Sequence, residues 1–171
     1  MSDLYTKTTA TTEEHALLKQ AFKAAEMHSE DRYTKIGVVV VTADGTVVEG
    51  YNSLPLGVKG DEQRLERPTP ETHPEGDFGK YDWLHHAERK AICHAARDGV
   101  ALKGAKMYAM LMPCMNCAQA VVDSGIAELV LDYDFTETYR AKGNRWEYDF
   151  QRVALMFAEA GVKVRAISIS E

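Results

Sequence analysis

Apolar residues recur along this chain in two patterns, one at helical spacing and one in unbroken β-branched runs. Residues 13–27 carry apolar positions at helical spacing after a threonine-rich start, which predicts a helix preceded by a loose N-terminus over residues 1–12. Residues 36–42 are a β-branched run, and the turn Ala43-Asp44-Gly45 leads into a second strand over residues 46–51. The pattern therefore begins with a helix and a hairpin.

The second half of the chain alternates helical patterns with short apolar strands. Each predicted helix ends next to a glycine, which is a common helix stop. Helices are predicted over residues 84–98, 114–124 and 148–160, and strands over residues 105–110, 128–131 and 162–167. Between the hairpin and this half, residues 54–82 form an irregular insert with four prolines, and a loop of that length is usually functional or mobile.

A hairpin followed by alternating helices and strands predicts a single α/β domain over residues 1–171, with three layers in the order α/β/α. The central sheet is expected to be mixed and to contain about five strands. A helix separates the last two strands, and such a crossover allows them to run parallel, which a short hairpin does not.

Composition and charge limit the cellular location and the partners that we expect for this domain. With 45% hydrophobic residues the chain can bury a substantial core, and it has no long apolar run and no signal-like start. We therefore expect a cytoplasmic protein that does not associate with membranes. Three cysteines are too few for a disulfide framework. A formal net charge of −6 disfavours nucleic acid as a partner but leaves room for a small phosphorylated substrate in a local basic pocket.

Two short motifs carry side chains that bind metals: His86-Ala87-Glu88 and, downstream, Pro113-Cys114-Met115-Asn116-Cys117. One imidazole and two thiolates can hold zinc through three protein ligands, which leaves the fourth tetrahedral position open for water. An open position indicates catalysis. Glu88 is a poor fourth ligand and is instead predicted to move protons between that water and a substrate.

Helical periodicity explains the spacing within these motifs. His86 is expected in the first turn of its helix, and Cys114 and Cys117 fall at i and i+3 on one face of the next helix, whose N-terminus lowers the pKa of a thiol. A C-x-x-C motif alone is also typical of a redox dithiol or of half a structural zinc site. The remaining cysteine, Cys93, is expected to be a small core residue and not a further ligand, so the two motifs together favour a catalytic centre.

Together the motifs form the pattern H-x-E plus P-C-x-x-C, which is typical of zinc deaminases that act on cytosine or adenine. Further segments carry a closer resemblance. They are Gly50-Tyr51-Asn52-Ser53-Leu54-Pro55-Leu56-Gly57, Lys80-Tyr81-Asp82-Trp83, His85-His86-Ala87-Glu88-Arg89, Pro113-Cys114-Met115-Asn116-Cys117-Ala118 and Ser124-Gly125-Ile126. With these segments the chain resembles the deoxycytidylate (dCMP) deaminase family from about residue 36 to the last residue.

The resemblance implies hydrolytic deamination of dCMP to dUMP and ammonia by zinc-activated hydroxide. It also implies a homo-oligomer, often a hexamer, and in many members control by dCTP and dTTP. By position it implies that His86, Cys114 and Cys117 bind Zn²⁺. Glu88 would shuttle protons to ring N3 and to the departing amino group, and Asn52 would contact the sugar or the base.

Two positions depart from the family pattern: Ser53 stands where the family often has glycine, and Lys90 where it often has asparagine. Both belong to the substrate end of the pattern, so another nucleobase, nucleoside or modified pyrimidine nucleotide stays an alternative substrate. An RNA- or DNA-editing deaminase would use the same zinc chemistry, but the acidic balance disfavours it. A non-catalytic nucleotide-binding subunit is a third interpretation, and the presence of Glu88 argues against it.

Basic residues of the insert offer a place for a phosphate. Arg64 and Arg67 lie there among acidic residues, and the forked guanidinium group suits phosphate geometry. The alternative for both is a solvated loop of mixed charge. The alternative for Asn52 is a simple turn residue. An accessory zinc site at His73 and a positive charge near the pocket from Lys90 stay open, but both residues are expected to face solvent.

Overall fold

A six-stranded mixed sheet forms the centre of the structure, a computed structural model that describes residues 4–73, 78–143 and 147–169. Its strands are β1 (Thr6–Lys7), β2 (Gly37–Val41), β3 (Val47–Tyr51), β4 (Lys106–Ala109), β5 (Glu128–Asp132) and β6 (Lys163–Ile167). Across the sheet they lie in the order β1-β6-β5-β4-β2-β3. The predicted mixed α/β class is confirmed, with slightly more strands than predicted.

Helices cover both faces of this sheet. Those in the described ranges are α1 (Thr12–His28), α2 (Glu62–Leu65), α3 (Lys80–Trp83), α4 (Ala87–Asp98), α5 (Met115–Asp123), α6 (Tyr133–Ala141) and α7 (Glu147–Ala160). Leu18 of α1 shares an apolar cluster with Val39 of β2, whereas Ala91 of α4 and Val121 of α5 cluster with Val38. Because neighbouring strand residues point to opposite faces, β2 is buried on both sides and the predicted three layers are confirmed.

The pairing of the strands divides the sheet into two parts. β2 is antiparallel to both β3 and β4. In contrast, β4 with β5, β5 with β6 and β6 with β1 are parallel pairs. The last two strands therefore run parallel, as predicted, and α6 and α7 lie between them in the chain.

The N-terminus is more ordered than the loose segment predicted over residues 1–12. Thr6 and Lys7 pair with β6, and the backbone N–H of Thr8 donates to the Ala166 carbonyl at 2.9 Å. Residues 1–3 lie outside the described residues. By pairing with β6, strand β1 covers backbone groups that would otherwise be unpaired at the edge of the sheet. A strand of two residues is too short to show an alternating pattern of apolar and polar residues, so the sequence did not predict it.

In its described residues, 54–73 and 78–82, the insert contains the short helix α2 and the start of α3 and is otherwise irregular. Residues 74–77 lie outside the described part. His73 was wrongly expected to face solvent, because it is only 5% exposed. Its Nε2 lies 2.8 Å from the carbonyl oxygen of Gln63, and its Nδ1 lies 2.7 Å from Oγ1 of Thr72. The imidazole therefore ties the insert to itself.

Helix α6 was not predicted from the sequence. Asp132 caps it by accepting a hydrogen bond from the backbone N–H of Phe135 at 2.6 Å, an N-cap typical of aspartate. Thr136 lies on the buried face of α6, and its hydroxyl group donates a hydrogen bond to the Met110 carbonyl.

None of the helices in the described ranges is long and apolar enough to cross a membrane.

Candidate active site

The two predicted metal motifs meet where α4 and α5 begin. His86 is the N-cap of α4 and Cys114 is the N-cap of α5, while Cys117 lies in the first turn of α5. Helix α4 begins three residues later than predicted, because His85 is still extended and pairs with Ser53 through two backbone hydrogen bonds. His86 therefore precedes the first turn of its helix and does not lie within it.

The three donor atoms of this cluster lie at distances that fit one zinc ion. Nδ1 of His86 is 3.4 Å from Sγ of Cys114 and 3.6 Å from Sγ of Cys117. Zn–N bonds of about 2.0 Å and Zn–S bonds of about 2.3 Å in a tetrahedron separate ligand atoms by roughly 3.5–3.8 Å. Within the described ranges no other group of three metal-binding side chains comes this close together. The donor set therefore fits zinc with one position open.

Hydrogen bonds within the cluster favour a thiolate. The Cys117 thiol first, and then the imidazole of His86, lower the pKa of Cys114 to about 4. The same contact with Cys114 raises the pKa of Cys117, and the hydrogen bond to Cys114 raises the pKa of His86. The helix N-termini stabilise the resulting negative charge. A divalent cation is the natural complement of such a cluster.

Glu88 follows His86 by two residues and lies in the first turn of α4. It is only 5% exposed, and burial raises the pKa of its carboxyl group. The carboxyl group contacts Cys117 and borders the same cavity as His86 and Cys114. A buried carboxyl group beside a metal position can exchange protons with a ligand bound there.

A cavity of about 120 Å³ opens beside these donors. Its apolar and aromatic lining consists of Ile36, Tyr81, Leu84, Ala87, Leu111, Met112, Tyr139 and Phe150. Apart from the metal-binding residues and Glu88, its polar lining consists of Asp31, Thr34, Asn52, Arg67 and Lys80. Mostly apolar walls with a few polar groups are typical of small-molecule sites.

Asn52 lines this cavity, but its amide is already fully hydrogen bonded. Its Nδ2 donates to the Thr34 carbonyl at 2.8 Å and to Asp31 at 3.2 Å. Its Oδ1 accepts from Ser29 at 2.6 Å and from the backbone N–H of Ile36 at 2.9 Å. These bonds hold the segment before β2 against the end of β3. A contact from Asn52 to a substrate stays a prediction, and it would require one of these bonds to be exchanged.

The structure separates the two arginines of the insert. Arg67 lines the cavity, with its guanidinium carbon 4.4 Å from the centroid of the Tyr33 ring. Arg64 lies outside the cavity lining, where it stacks on Trp83 at 4.2 Å and donates to the Lys59 carbonyl at 2.8 Å. Of the pair, Arg67 is therefore placed to meet a ligand.

Sequence reasoning missed two features of the cavity wall. Nζ of Lys80 forms a buried ion pair with Asp31 at 2.5 Å, across 49 positions of the sequence. Tyr139 reaches the wall from α6, which was not predicted at all. Only the segment that begins at Lys80 carried a signal, because it is part of the resemblance. No local pattern links it to Asp31.

The two departures from the family pattern lie away from this cavity. Ser53 and Lys90 line a second cavity of about 530 Å³, and neither is among the lining residues of the cavity beside the donors. That both belong to the substrate end of the pattern stays a prediction. Lys90 is 7% exposed, and its Nζ donates to the Leu54 carbonyl at 2.6 Å, so it does not face solvent as expected. Cys93 lines the same second cavity and is exposed, which corrects its expected place in the core.

Comparison with known proteins agrees with this geometry. The family model described as "Cytidine and deoxycytidylate deaminase zinc-binding region" matches residues 11–132, a range that contains both metal motifs. A protein of Aliivibrio fischeri named "Uncharacterized deaminase in luxG 3'region" is 32% identical over 149 residues, which are 85% of this chain and 90% of that protein.

Several relatives are named as deoxycytidylate deaminases. The deoxycytidylate deaminase of Homo sapiens is 32% identical over 115 residues, or 67% of this chain and 61% of the human protein. The chain thus spans less than two thirds of that relative. A crystal structure of the dCMP deaminase from the cyanophage S-TIM5, in complex with dCMP and dUMP, has a TM-score of 0.65 at 19% identity, and the match covers 93% of this chain and 99% of that one. It shows the same fold.

Proposed function

This chain belongs to the cytidine and deoxycytidylate deaminase zinc-binding family, and on that premise we propose that it converts dCMP to dUMP and ammonia. It is a deaminase with zinc as its cofactor. One observation carries the proposal: three metal-binding atoms and the buried carboxyl group of Glu88 border a single cavity. Deoxycytidylate deaminases among its relatives point to the pyrimidine nucleotide.

We assign His86, Cys114 and Cys117 as the groups that would hold zinc, because their donor atoms lie within 4.8 Å of one another. When bound, zinc supplies Lewis acidity that makes water a nucleophile near neutral pH. The N-cap residues His86 and Cys114 have extended backbone, so both side chains project from the first turns of α4 and α5.

Glu88 is proposed to move the protons of the reaction. Hydrolysis adds the oxygen of water to C4 of cytosine and breaks the bond from C4 to the amino nitrogen. One proton of that water must reach ring N3 and the other must reach the departing amino group, which leaves as ammonia. Glu88 is a buried carboxyl group at the cavity wall and can carry both in turn.

The size of the cavity supports a single-ring base. At about 120 Å³ it is close to the roughly 150 Å³ that encloses one benzene molecule in a protein interior. Leu84, Met112 and Phe150 form apolar walls that exclude water from the base.

Arg67 is proposed to meet the phosphate end of the nucleotide. It borders the cavity from the insert, and its planar guanidinium group is stacked on Tyr33. Arg64 is not assigned this role, because Trp83 and the Lys59 carbonyl already engage it outside the cavity. The insert would then supply the group that distinguishes a nucleotide from a nucleoside.

Other features stay predictions from the sequence and the resemblance. They are a single deaminase domain over residues 1–171, a homo-oligomer, control by dCTP and dTTP, a contact from Asn52 and a cytoplasmic location.

Ammonia release by the zinc-loaded protein tests the substrate directly. The panel is dCMP, CMP, deoxycytidine, dCTP, 5-methyl-dCMP, guanine and adenosine at matched concentrations. We expect dCMP to give the highest kcat/KM, with deoxycytidine well below it. Turnover of another compound without turnover of dCMP would reject the substrate while leaving the deaminase chemistry intact.

A further inference from the structure

A buried cation lines the cavity and takes no part in the deamination described above. Lys80 and its partner Asp31 are each 6% exposed, and Nζ of Lys80 lies 2.5 Å from Oδ2 of Asp31. Taking an ammonium group out of water is costly even when it is paired. An apolar residue would fill the same wall without that cost, so the charge itself requires an explanation.

The two polar neighbours of Lys80 have no hydrogen-bonding capacity left for a ligand. The carboxylate of Asp31 accepts from Lys80, from Asn52 and from the backbone N–H groups of Tyr33 and Thr34. The amide of Asn52 makes two donor and two acceptor bonds within the protein. Four bonds account for the capacity of a carboxylate and of an amide alike.

Lys80 differs because an ammonium group has three N–H donors. Within the described part of the chain, its Nζ forms one hydrogen bond, to Asp31. Its Nζ lies 5.1 Å from the centroid of the Tyr33 ring, and the guanidinium carbon of Arg67 lies 4.4 Å from the same centroid. Two cations with one carboxylate leave this part of the cavity with a net positive charge.

We propose that Lys80, oriented by Asp31, binds the phosphate of the substrate together with Arg67 and makes the enzyme selective for 5′-monophosphates over nucleosides. The planar fork of Arg67 and the compact charge of Lys80 complement each other around a phosphate group. The ion pair holds the ammonium group in place beforehand, so little conformational entropy is lost when the ligand binds. This assignment rests on the proposed function in taking the ligand to be a nucleotide.

The test is the ratio of two affinities, for dUMP and for deoxyuridine. Zinc-loaded wild type, Lys80→Gln and Arg64→Gln are titrated with each compound by calorimetry. Arg64→Gln is the matched control, since Arg64 comes from the same insert but lies outside the cavity lining. We expect Lys80→Gln to weaken dUMP binding about 10- to 100-fold and to leave deoxyuridine binding within about twofold. Arg64→Gln should change neither.

A second variant guards against misfolding. Lys80→Gln leaves the Asp31 carboxylate buried without its cation, whereas Lys80→Gln combined with Asp31→Asn removes both charges together. The double variant should unfold nearer the wild-type temperature and show the same selective loss of dUMP affinity. Unchanged dUMP affinity in either folded variant would mean that Lys80 serves only the fold. Equal weakening of dUMP and deoxyuridine would also overturn the assignment.

Wild-type turnover separates this inference from the proposed function. If another 5′-monophosphate is deaminated in place of dCMP, the proposed substrate fails, and the titrations are repeated with that product and its nucleoside. The assignment of Lys80 holds if Lys80→Gln abolishes the preference for that monophosphate over its nucleoside. A wild type that binds no monophosphate more tightly than the matching nucleoside overturns the assignment, whichever base is deaminated.

Discussion

Glu88 places a carboxyl group where it is costly for the fold and useful for proton transfer. It is buried, and burial raises the pKa of its carboxyl group beside the sulfur atoms of Cys114 and Cys117. An apolar residue would suit this position in a purely structural helix. A destabilising polar group at a cavity wall is typical of a catalytic position.

Substitution of Glu88 by glutamine tests this interpretation. Glutamine keeps the shape of the side chain but cannot accept and release the protons of hydrolysis. We expect kcat for dCMP to fall about 10²- to 10⁴-fold, while zinc content stays at the wild-type value. Ammonia release and atomic absorption measure the two quantities.

The matched control for Glu88→Gln is Asp98→Asn, at the other end of the same helix. Asp98 is an exposed residue paired with Arg97, so its substitution removes a carboxylate without reaching the cavity. Its activity should stay within about twofold of wild type, because exposed ion pairs contribute little. Near-normal turnover by Glu88→Gln would remove Glu88 from the mechanism.

Cysteine substitutions distinguish a metal ligand from an ordinary thiol. Cys114→Ser should lower bound zinc from about one ion per chain towards none, because serine does not provide a thiolate. Cys93→Ser should leave zinc unchanged, since Cys93 is exposed and lies outside the donor cluster. Zinc content after dialysis against a weak chelator is the measurement. Full retention of zinc by Cys114→Ser would rule out the proposed ligand set.

At the scale of elements, the site depends on how closely α4 approaches the hairpin. Gly50 in β3 faces the start of α4, where an added Cβ would overlap the Ala87 carbonyl and lie 2.7 Å from the Cβ of Ala91. His86, one of the three donors, directly precedes Ala87 in the chain. Because Gly50 has no side chain, α4 can pack close enough to β3 to hold this proposed zinc ligand in its position.

Gly50→Ala should destabilise the protein and weaken zinc binding together. The backbone of α4 must move away from β3, and overpacking of this kind costs about 1–3 kcal/mol. Urea unfolding gives the first effect and a competitive zinc chelator the second. Gly60→Ala is the control, because its Cβ would meet only the ends of the Leu65 and Leu54 side chains at 3.0–3.1 Å. Normal zinc affinity in Gly50→Ala would separate α4 packing from the site.

At the scale of the whole molecule, a buried ion triad joins three elements far apart in sequence. Arg165 of β6 bonds to Glu128 of β5 at 2.5 Å and pairs with Glu14 of α1. Burial raises the pKa of both carboxyl groups, but hydrogen bonds from Arg165 outweigh it, so the net pKa of each lies below its ordinary value. The triad fastens α1 to the parallel half of the sheet.

The triad predicts that the free energy of unfolding decreases as the pH falls. Carboxyl groups with a lowered pKa in the folded state stabilise it above their unfolded pKa, about 4.3, and this contribution is lost as pH falls through the folded values. Arg165→Met leaves Glu14 without this cation and leaves Glu128 only the exposed side chains of Lys106 and Lys163, a loss of about 3 kcal/mol at pH 7. The deficit should shrink towards pH 4, because protonation removes the uncompensated charges.

Urea unfolding of wild type and variant at each pH measures this deficit, and effects common to both proteins cancel in the difference. Lys163→Met is the control, because Lys163 is 70% exposed and lies 3.6 Å from Glu128. Its effect should stay within about 0.5 kcal/mol at every pH. A deficit for Arg165→Met that stays constant between pH 7 and pH 4 would show that packing and not charge is responsible.

Burial along α4 shows where sequence reasoning stops. Lys90 was expected outside and Cys93 inside, yet Lys90 lies beneath the Leu54 carbonyl and Cys93 is exposed. Helical periodicity tells which residues share a face, but not which face a segment from elsewhere in the chain covers. Side-chain polarity therefore gave the wrong burial for both Lys90 and Cys93.

The sequence by itself determined the fold class, the parallel pairing of the last strands and the candidate donors His86, Cys114 and Cys117. These features follow from local rules, because periodicity, glycine stops and ligand spacing act over a few residues. Only the tertiary structure decided the short strand β1, the cavity wall contributed by Tyr139 and the pairing of Lys80 with Asp31. Such contacts join distant parts of the chain, and their stability depends on burial and charge that exist only once the layers have packed.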